Sequence, residues 1–298
     1  MNKLSIWHFL LVAWIAMGVF LWKNYLCDCW SGNGTNKSLT KGGTGTWNIS
    51  DGNAFSATAN EHFKFERSGT NYIDVLSPSL QSSVVQTVAY LQNNPDKSLI
   101  ITGFYHADET NNSLLPNLGM ARANDVKGYL SSLGVPSRQL GLEGKLLAEK
   151  NWFVNDTLQK GVDFSFGKIE LSNTRIDDIK SRLVGKPLTL YFAVNEKAIS
   201  LNEQQRSDFA DMIYYLDNVP NSELDIAGHT DNSGKPAVNE YISAERAKFV
   251  GTYLEENGSI GHDKIKTAGF GSKKPILPNT TKENKALNRR VEVVLNVQ

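Results

Sequence analysis

The chain has 298 residues and carries 31 basic and 31 acidic side chains, so its formal net charge is zero. That balance argues against nucleic acid as the main partner, because proteins that bind phosphate backbones usually carry an excess of basic residues. With 40% hydrophobic and 21% charged residues, the composition is that of globular protein, long enough to build two modest cores.

The chain begins with a stretch of 19 residues without formal charge, residues 4–22, which Lys3 precedes and Lys23 follows. A helix of that length spans a bilayer. A cleaved signal peptide is the alternative, but the stretch is longer than a usual signal core, and no small-x-small cleavage site follows it. We therefore predict a transmembrane signal anchor over residues 1–30. A flexible linker rich in glycine and polar residues is predicted over 31–46.

Cys27 and Cys29 are the only cysteines, and they lie just after the predicted span. With one residue between them, a disulfide joining the two would be strained, and two ligands do not make a zinc site. They are either inert thiols or, if this side of the membrane is oxidising, the source of intermolecular disulfides between anchor helices.

The remaining chain repeats itself. Residues 90–104 (YLQNNPDKSLIITGF) align with residues 215–229 (YLDNVPNSELDIAGH), an offset of 125. Residues 121–134 align with residues 245–258 at an offset of 124. Because the offset changes by a single residue, and only in loops, the pattern indicates a duplicated domain.

The second copy shows the order of elements most clearly. An apolar strand precedes an amphipathic helix at 202–219, and a second strand, a second helix near 240–257, a short strand and a period-two strand follow. This order predicts an α/β fold of the α+β two-layer type, with tandem β-α-β-α-β-β domains whose helices cover one face of a mixed sheet. The predicted domains are residues 47–170 and 187–298, joined by an interdomain linker at 171–186.

Arg246 lies in the apolar stripe of the second predicted helix. An arginine at such a position needs either an internal carboxylate or access to an anion from solvent. The internal partner would be Asp231, in the preceding polar turn, or Glu292. The alternative is that Asp231 and Arg246 together form a clamp of opposite charges for a zwitterionic ligand.

Four motifs occur in order around these two residues. They are GHTD at 228–231, NEYISAERA at 239–247, GFG at 269–271 and NRRVE at 288–292. Through them, residues 187–298 closely resemble the OmpA-like peptidoglycan-binding domain, and the predicted architecture becomes two tandem OmpA-like domains behind one transmembrane helix.

The resemblance implies that Asp231 and Arg246 hold the diaminopimelate of the peptidoglycan stem peptide. It adds five neighbouring positions as ligand-binding candidates: Thr230, Asn239, Asn195, Asn288 and Arg289. Asn239 is also a predicted helix N-cap. Ala193 stands where the family often has aspartate, which would weaken one secondary contact with the ligand.

The first copy departs from this pattern in its polar turn. It keeps Arg122, but His106 stands where the second copy has Asp231, and Asp108 is nearby but out of register. We interpret His106 as a loop histidine, since a lone histidine makes neither a metal site nor a catalytic unit. The first copy is accordingly predicted to be a degenerate OmpA-like domain that provides spacing or contacts other envelope proteins.

The sequence contains no motif that pairs a nucleophile with a base, clusters metal ligands or forms a phosphate loop, so we predict no catalysis, no cofactor and no metal. The predicted function is that of an oligomeric, single-pass inner-membrane protein. Its anchor at 4–22 would lie in the membrane, and its periplasmic domains would tether the envelope, or a machine within it, to peptidoglycan. Two alternatives remain open: the force-bearing subunit of an ion-driven motor, and a structural subunit of a secretion or injection apparatus.

Overall fold

The computed structural model describes residues 46–73, 75–148, 152–167, 173–191, 199 and 201–297, all within one compact unit, Gly42–Gln298. The predicted anchor, Cys27, Cys29, Asn195 and nearly all of the predicted linker at 31–46 lie outside the described residues. Among the residues that are described, no helix is long and apolar enough to cross a bilayer.

Twelve strands and six α-helices make up the described part of the chain. The strands are β1 (Trp47–Ser50), β2 (Ser56–Ala59), β3 (Phe65–Glu66), β4 (Ser98–His106), β5 (Leu140–Leu147), β6 (Phe153–Val154), β7 (Thr157–Leu158), β8 (Val162–Gly167), β9 (Pro187–Tyr191), β10 (Ser222–Gly228), β11 (Ile265–Gly269) and β12 (Arg290–Val297). The helices are α1 (Pro78–Asn93), α2 (Leu118–Ser132), α3 (Asn173–Leu183), α4 (Glu203–Asn218), α5 (Pro236–Gly258) and α6 (Lys282–Asn288).

Two mixed sheets organise the structure, so the predicted mixed α/β fold is confirmed. The second sheet has the order β11-β10-β12-β9, in which β10 pairs parallel with β11 and antiparallel with β12. Strand β10 buries alternate residues, among them Leu224 and Ile226, in a core shared with α4 and α5. This alternation is what a sheet with one covered face produces. The second half therefore follows the predicted β-α-β-α-β-β order with one addition, the short helix α6 between β11 and β12, which was not predicted.

The first sheet is smaller than predicted, with the three-strand order β5-β4-β8. Its parallel pair nevertheless has the same register as that of the second sheet. Leu99 lies opposite Leu140 in the first sheet, and Leu224 lies opposite Ile265 in the second. The first half adds the separate hairpin β1-β2, which closes its core with Trp47 and other apolar residues.

In each sheet the central strand crosses its helix at a glycine. A Cβ at Gly103 would lie 1.9 Å from the carbonyl oxygen of Gly119 on α2. A Cβ at Gly228 would lie 1.9 Å from the carbonyl oxygen of Ser243 on α5. Any side chain at either strand position would overlap with helix backbone. The contact brings the start of α5 against the end of β10, where the polar turn begins.

The two halves share part of one core. Leu114, Leu115 and Ala121 of the first half belong to the same buried cluster as Leu216 and Leu254 of the second. Separating the halves between α2 and α4 would expose this apolar surface to water, which costs free energy in proportion to its area.

Polar contacts between α2 and the second half add to the shared core. Asn124 Nδ2 donates to the carbonyl oxygen of Asn257 at 3.1 Å and to Ser259 Oγ at 3.0 Å. The buried ammonium of Lys127 pairs with Asp217 at the end of α4. These bonds fix α2 against the second half.

The predicted interdomain linker at 171–186 needs correction, because residues 173–183 form helix α3. Ile179 and Leu183 are buried in the second core, and Ile176 packs against them. Their spacing puts three apolar side chains on one face of an otherwise charged helix. The charged composition of the segment concealed this narrow stripe.

Candidate functional site

Asp231 lies in the polar turn that follows β10, and its carboxylate is held from two sides. Its Oδ2 accepts a hydrogen bond from Arg289 Nη1 at 2.8 Å. Its Oδ1 accepts one from the backbone N–H of Ser233 at 2.7 Å, which makes a local turn of the kind that aspartate favours. Asp231 is 8% exposed, so the carboxylate lies just beneath the surface in a fixed orientation.

The turn itself is tied to its neighbours by backbone bonds. The N–H of Thr230 donates to the carbonyl oxygen of Gly271 at 2.9 Å, and the N–H of Phe270 donates to that of Gly228 at 2.9 Å. The N–H of Gly271 donates to Ser243 Oγ on α5 at 2.8 Å. Gly271 has a φ of +55°, a conformation that favours glycine. The ends of β10, β11 and the start of α5 therefore form one rigid frame around Asp231.

Arg289 directly follows helix α6, and its side chain contacts Asp231. The residue before it, Asn288, is bonded to a neighbouring loop. Asn288 is fully buried. Its Oδ1 accepts from the N–H groups of Ile276 and Leu277, and its Nδ2 donates to the carbonyl oxygen of Leu277 and to Asn279 Oδ1. These four hydrogen bonds join the side-chain amide of Asn288 to the 276–279 loop. A ligand contact of Asn288 stays a prediction; in this structure its amide is bonded to the loop beside Arg289.

Arg246 lies half-buried on α5, within electrostatic reach of both Asp231 and Arg289. Burial lowers the pKa of Arg246, the charge of Arg289 lowers it further, and the charge of Asp231 opposes both effects. An arginine remains protonated despite such shifts. Two guanidinium groups and one carboxylate therefore converge here, which leaves one positive charge in excess.

The two carboxylates considered as internal partners of Arg246 each hold a different arginine. Asp231 holds Arg289, and Glu292 accepts from Arg290 Nε at 2.7 Å. Asp231 therefore belongs to a triad with Arg246 and Arg289, in which Arg289 donates a hydrogen bond to the aspartate.

Thr230 and Asn239 border this triad. Thr230 is 5% exposed, and its Oγ1 is buried without a hydrogen-bond partner among the described residues. Asn239 Nδ2 donates to the carbonyl oxygen of Asp231 at 3.3 Å. Asn239 is not the helix N-cap: α5 starts earlier than predicted, at Pro236, with Lys235 as the N-cap residue. Proline is favoured in the first turn because its missing N–H would have no partner there.

The ionisation of the site follows from its surroundings. Burial alone would raise the pKa of Asp231, but the hydrogen bonds from Arg289 and Ser233 bring it below its usual value, so the carboxylate is charged at neutral pH. Burial lowers the pKa of His229 to about 4, and the charge of Arg290 acts in the same direction. The neutral imidazole stacks on Phe270, with ring centroids 5.5 Å apart. Nowhere in the described residues do three histidine, cysteine or acidic side chains converge as metal ligands.

The corresponding arginine of the first half has a complete set of internal partners. Arg122 is 0% exposed. Its Nη2 donates to Glu109 Oε1 at 2.6 Å and its Nη1 donates to Glu109 Oε2 at 3.2 Å. The same guanidinium donates to the carbonyl oxygens of Gly69, Phe104 and Glu66. Sequence comparison missed Glu109, because the turn is one residue longer here and the alignment offers no counterpart.

His106 is the last residue of β4 and lies opposite Leu147, so its interpretation as a loop histidine is wrong. It is 8% exposed, and its Nδ1 lies 2.5 Å from Asp108 Oδ1. Asp108 also accepts from Arg67 Nη1 at 3.2 Å. Strand β4 runs three residues beyond the glycine crossing, whereas β10 ends at it, which is why the two turns differ.

The second half of the chain matches a known protein family. The model of the OmpA family matches residues 191–289. The "Peptidoglycan-binding protein ArfA" of Mycobacterium tuberculosis (strain ATCC 25618 / H37Rv) is 48% identical over 77 residues, which are 26% of this chain and 23% of that protein. The chain thus spans about a quarter of the length of this relative. The "Peptidoglycan-associated lipoprotein" of Buchnera aphidicola is 30% identical over 129 residues, 43% of this chain and 73% of that protein.

A solved structure, that of the peptidoglycan-associated lipoprotein from Burkholderia pseudomallei, aligns with a TM-score of 0.32 and 25% identity over 36% of this chain and 88% of that one. The family match and the extent of the Buchnera relative that the chain covers lead to one conclusion: the chain belongs to the OmpA family.

Proposed function

We propose that the second half of the chain, residues 187–298, binds peptidoglycan without catalysing a reaction, at the triad of Asp231, Arg246 and Arg289. The observation that carries this proposal is the convergence of a fixed carboxylate and two guanidinium groups at one sheet end. Relatives whose names state peptidoglycan binding or association support it.

The charges of the triad suit a zwitterionic ligand such as the diaminopimelate of a stem peptide. The positive excess is neutralised by a ligand carboxylate, which a guanidinium can bind through two parallel hydrogen bonds. A ligand ammonium would lie against Asp231, whose oxygens accept further hydrogen bonds beyond those from Arg289 and Ser233. The buried hydroxyl of Thr230 offers one more polar contact. In the absence of ligand, the internal bonds hold Asp231 in place, which lowers the entropy lost on binding.

We also infer that residues 47–170 are a degenerate copy of the second half. The equal strand registers support this inference, since Gly103 lies opposite Gly144 just as Gly228 lies opposite Gly269. The two glycine crossings support it as well. In this copy Arg122 is satisfied internally, which favours a role in spacing or in contacts with other envelope proteins.

The cellular role that follows is a tether. Residues 4–22 would anchor the chain in the inner membrane, the globular part would lie in the periplasm, and the chain would oligomerise, with Cys27 and Cys29 available for intermolecular disulfides. Protease added to spheroplasts tests this placement, because it should remove the globular part. Protection of that part until the inner membrane is broken would rule the placement out.

Binding to purified sacculi tests the proposed ligand. The full chain should co-sediment, and Asp231→Asn and Arg246→Lys should each lower its affinity about tenfold to a hundredfold, because charge-assisted bonds to a ligand contribute roughly 1.5–3 kcal/mol. Lys248→Ala is the matched control, since Lys248 is an exposed cation on the same helix.

The melting temperature of each variant separates ligand binding from internal stability. If the two residues act mainly on stability, the melting temperature should fall while the folded fraction still binds sacculi normally, and that result would contradict the proposal. Loss of nearly all binding when Asp231→Asn and Arg246→Lys are combined would assign sacculus binding to the second half, and substantial residual binding in that double variant would implicate the first.

A further inference from the structure

The ion pair between Arg122 and Glu109 lies wholly inside the first half of the protein. Both side chains have 0% exposure, and the two hydrogen bonds between them join each carboxylate oxygen to a different guanidinium nitrogen. This is the bidentate geometry with which arginine recognises carboxylates in ligands.

Backbone groups complete the surroundings of the Glu109 carboxylate. Its Oε1 also accepts from the N–H of Ser68 at 2.9 Å, and its Oε2 accepts from the N–H of His106 at 2.8 Å. Each oxygen therefore has two donors. Burial alone would raise the pKa of Glu109, but the bonds from Arg122 and Ser68 hold it below its usual value. The four donors form a site that binds the charged form of a carboxylate.

The carboxylate enters this site from the surface rather than from the core. Glu109 lies in the turn after β4, beside the exposed residues Asp108 and Thr110. Its four donor groups belong to three residues: two to Arg122 on α2, one to Ser68 after β3 and one to His106 at the end of β4. The donor frame is thus built by the fold, and a loop residue supplies the carboxylate.

We propose that the pocket around Arg122 is a carboxylate-binding site that the chain fills with its own Glu109, and that a small free carboxylate occupies it once that side chain is removed. The tethered carboxylate acts at a high effective concentration, so external carboxylates are excluded from the native first half. The correspondence between Arg122 and Arg246 rests on the proposed function, but the donors around Glu109 do not depend on it.

Rescue of Glu109→Ala by acetate tests the proposal in the full chain. The substitution removes two carbons and two oxygens, which are the heavy atoms of acetate. It strands the buried Arg122 guanidinium and should lower the melting temperature by roughly 10 °C. Acetate should restore much of that loss with a saturating dependence on concentration, because it binds the folded state alone. Acetamide has the same shape as acetate and no charge, and it should not restore the melting temperature. Chloride at equal ionic strength should not restore it either.

Two control variants separate pocket binding from general effects of salt. Val126→Ala truncates a buried residue of the same helix and should be destabilised with no specific response to acetate. Glu109→Ala combined with Arg122→Met removes both charges and should also lose the response. An acetate effect on Glu109→Ala no larger than that of chloride or acetamide would overturn the proposal.

If Glu109→Ala does not fold in chloride, the refolded yield replaces the melting temperature as the measurement. Recovery in acetate and not in acetamide would support the pocket, and equal failure in both would refute it. These measurements contain no peptidoglycan. Their outcome is therefore independent of sacculus binding at Asp231 and Arg246.

Discussion

Asp231 and Arg289 are 58 residues apart in the chain, yet Asp231 Oδ2 and Arg289 Nη1 lie 2.8 Å apart. The pair joins the turn after β10 to the end of α6. It orients the aspartate carboxylate independently of any ligand and leaves Arg246 as the second guanidinium of the triad.

Replacing Arg289 with methionine should lower the free energy of unfolding, and the size of this loss should depend on pH. At pH 7 the variant should lose about 1.5–3 kcal/mol of unfolding free energy, the usual contribution of a hydrogen bond to a charged group. The folded-state pKa of Asp231 is lowered in the native protein. The stability it contributes is therefore fully present above the unfolded-state pKa of about 3.9 and is lost as the pH falls through the folded value.

Urea unfolding of the native protein and of Arg289→Met at pH 7 and near pH 3 measures this difference. The difference in unfolding free energy between the two proteins should be smaller near pH 3 than at pH 7. Lys282→Met, which removes an exposed cation of the same short helix, should show no such gap. A gap of equal size at both pH values would mean that the Asp231–Arg289 charge interaction is not its source.

His229 should make the protein less stable in mild acid. Its folded-state pKa is about 4, below the ordinary value of 6.5, so protons bind the unfolded state more strongly between these values. Stability should be complete above pH 6.5 and should fall progressively toward pH 4, by up to about 3 kcal/mol.

Comparison with His229→Gln isolates this effect, since glutamine does not titrate. The unfolding free energy of the native protein, taken relative to that of His229→Gln, should be highest above pH 7 and lowest near pH 4.5. Parallel curves across this range would show that the burial of His229 does not govern the acid sensitivity.

The buried pair Lys127–Asp217 should couple the stability of the two halves. A double-mutant cycle with Lys127→Met and Asp217→Asn should give a coupling free energy of about 1–3 kcal/mol, because the ammonium is 1% exposed and loses water whether or not it is paired. The exposed pair Lys273–Glu240 is the control and should give less than about 1 kcal/mol. Additive effects of the two substitutions would show that this pair does not hold the halves together.

The sequence by itself determined the elements of the second half and their faces, except for the short helix α6. The spacing of Phe209, Met212, Ile213 and Leu216 predicted helix α4, and all four residues are buried. The alternation of apolar residues in β12 and the order of the main strands and helices were likewise predicted from the sequence. Such patterns survive in the sequence because each element must bury one face, so its period appears among residues close together in the chain.

Only the tertiary structure decided which polar groups meet. The sequence named Asp231, Arg246 and Arg289 together, but the chain path makes Arg289 the residue that holds Asp231. Glu109 could not be identified as the partner of Arg122, because a loop of altered length delivers it from outside the aligned positions. The hydrogen bonds of the buried Asn288 amide could not be predicted from the sequence either. Hydrogen bonds and ion pairs between distant segments depend on angstrom-scale positions that no local period records.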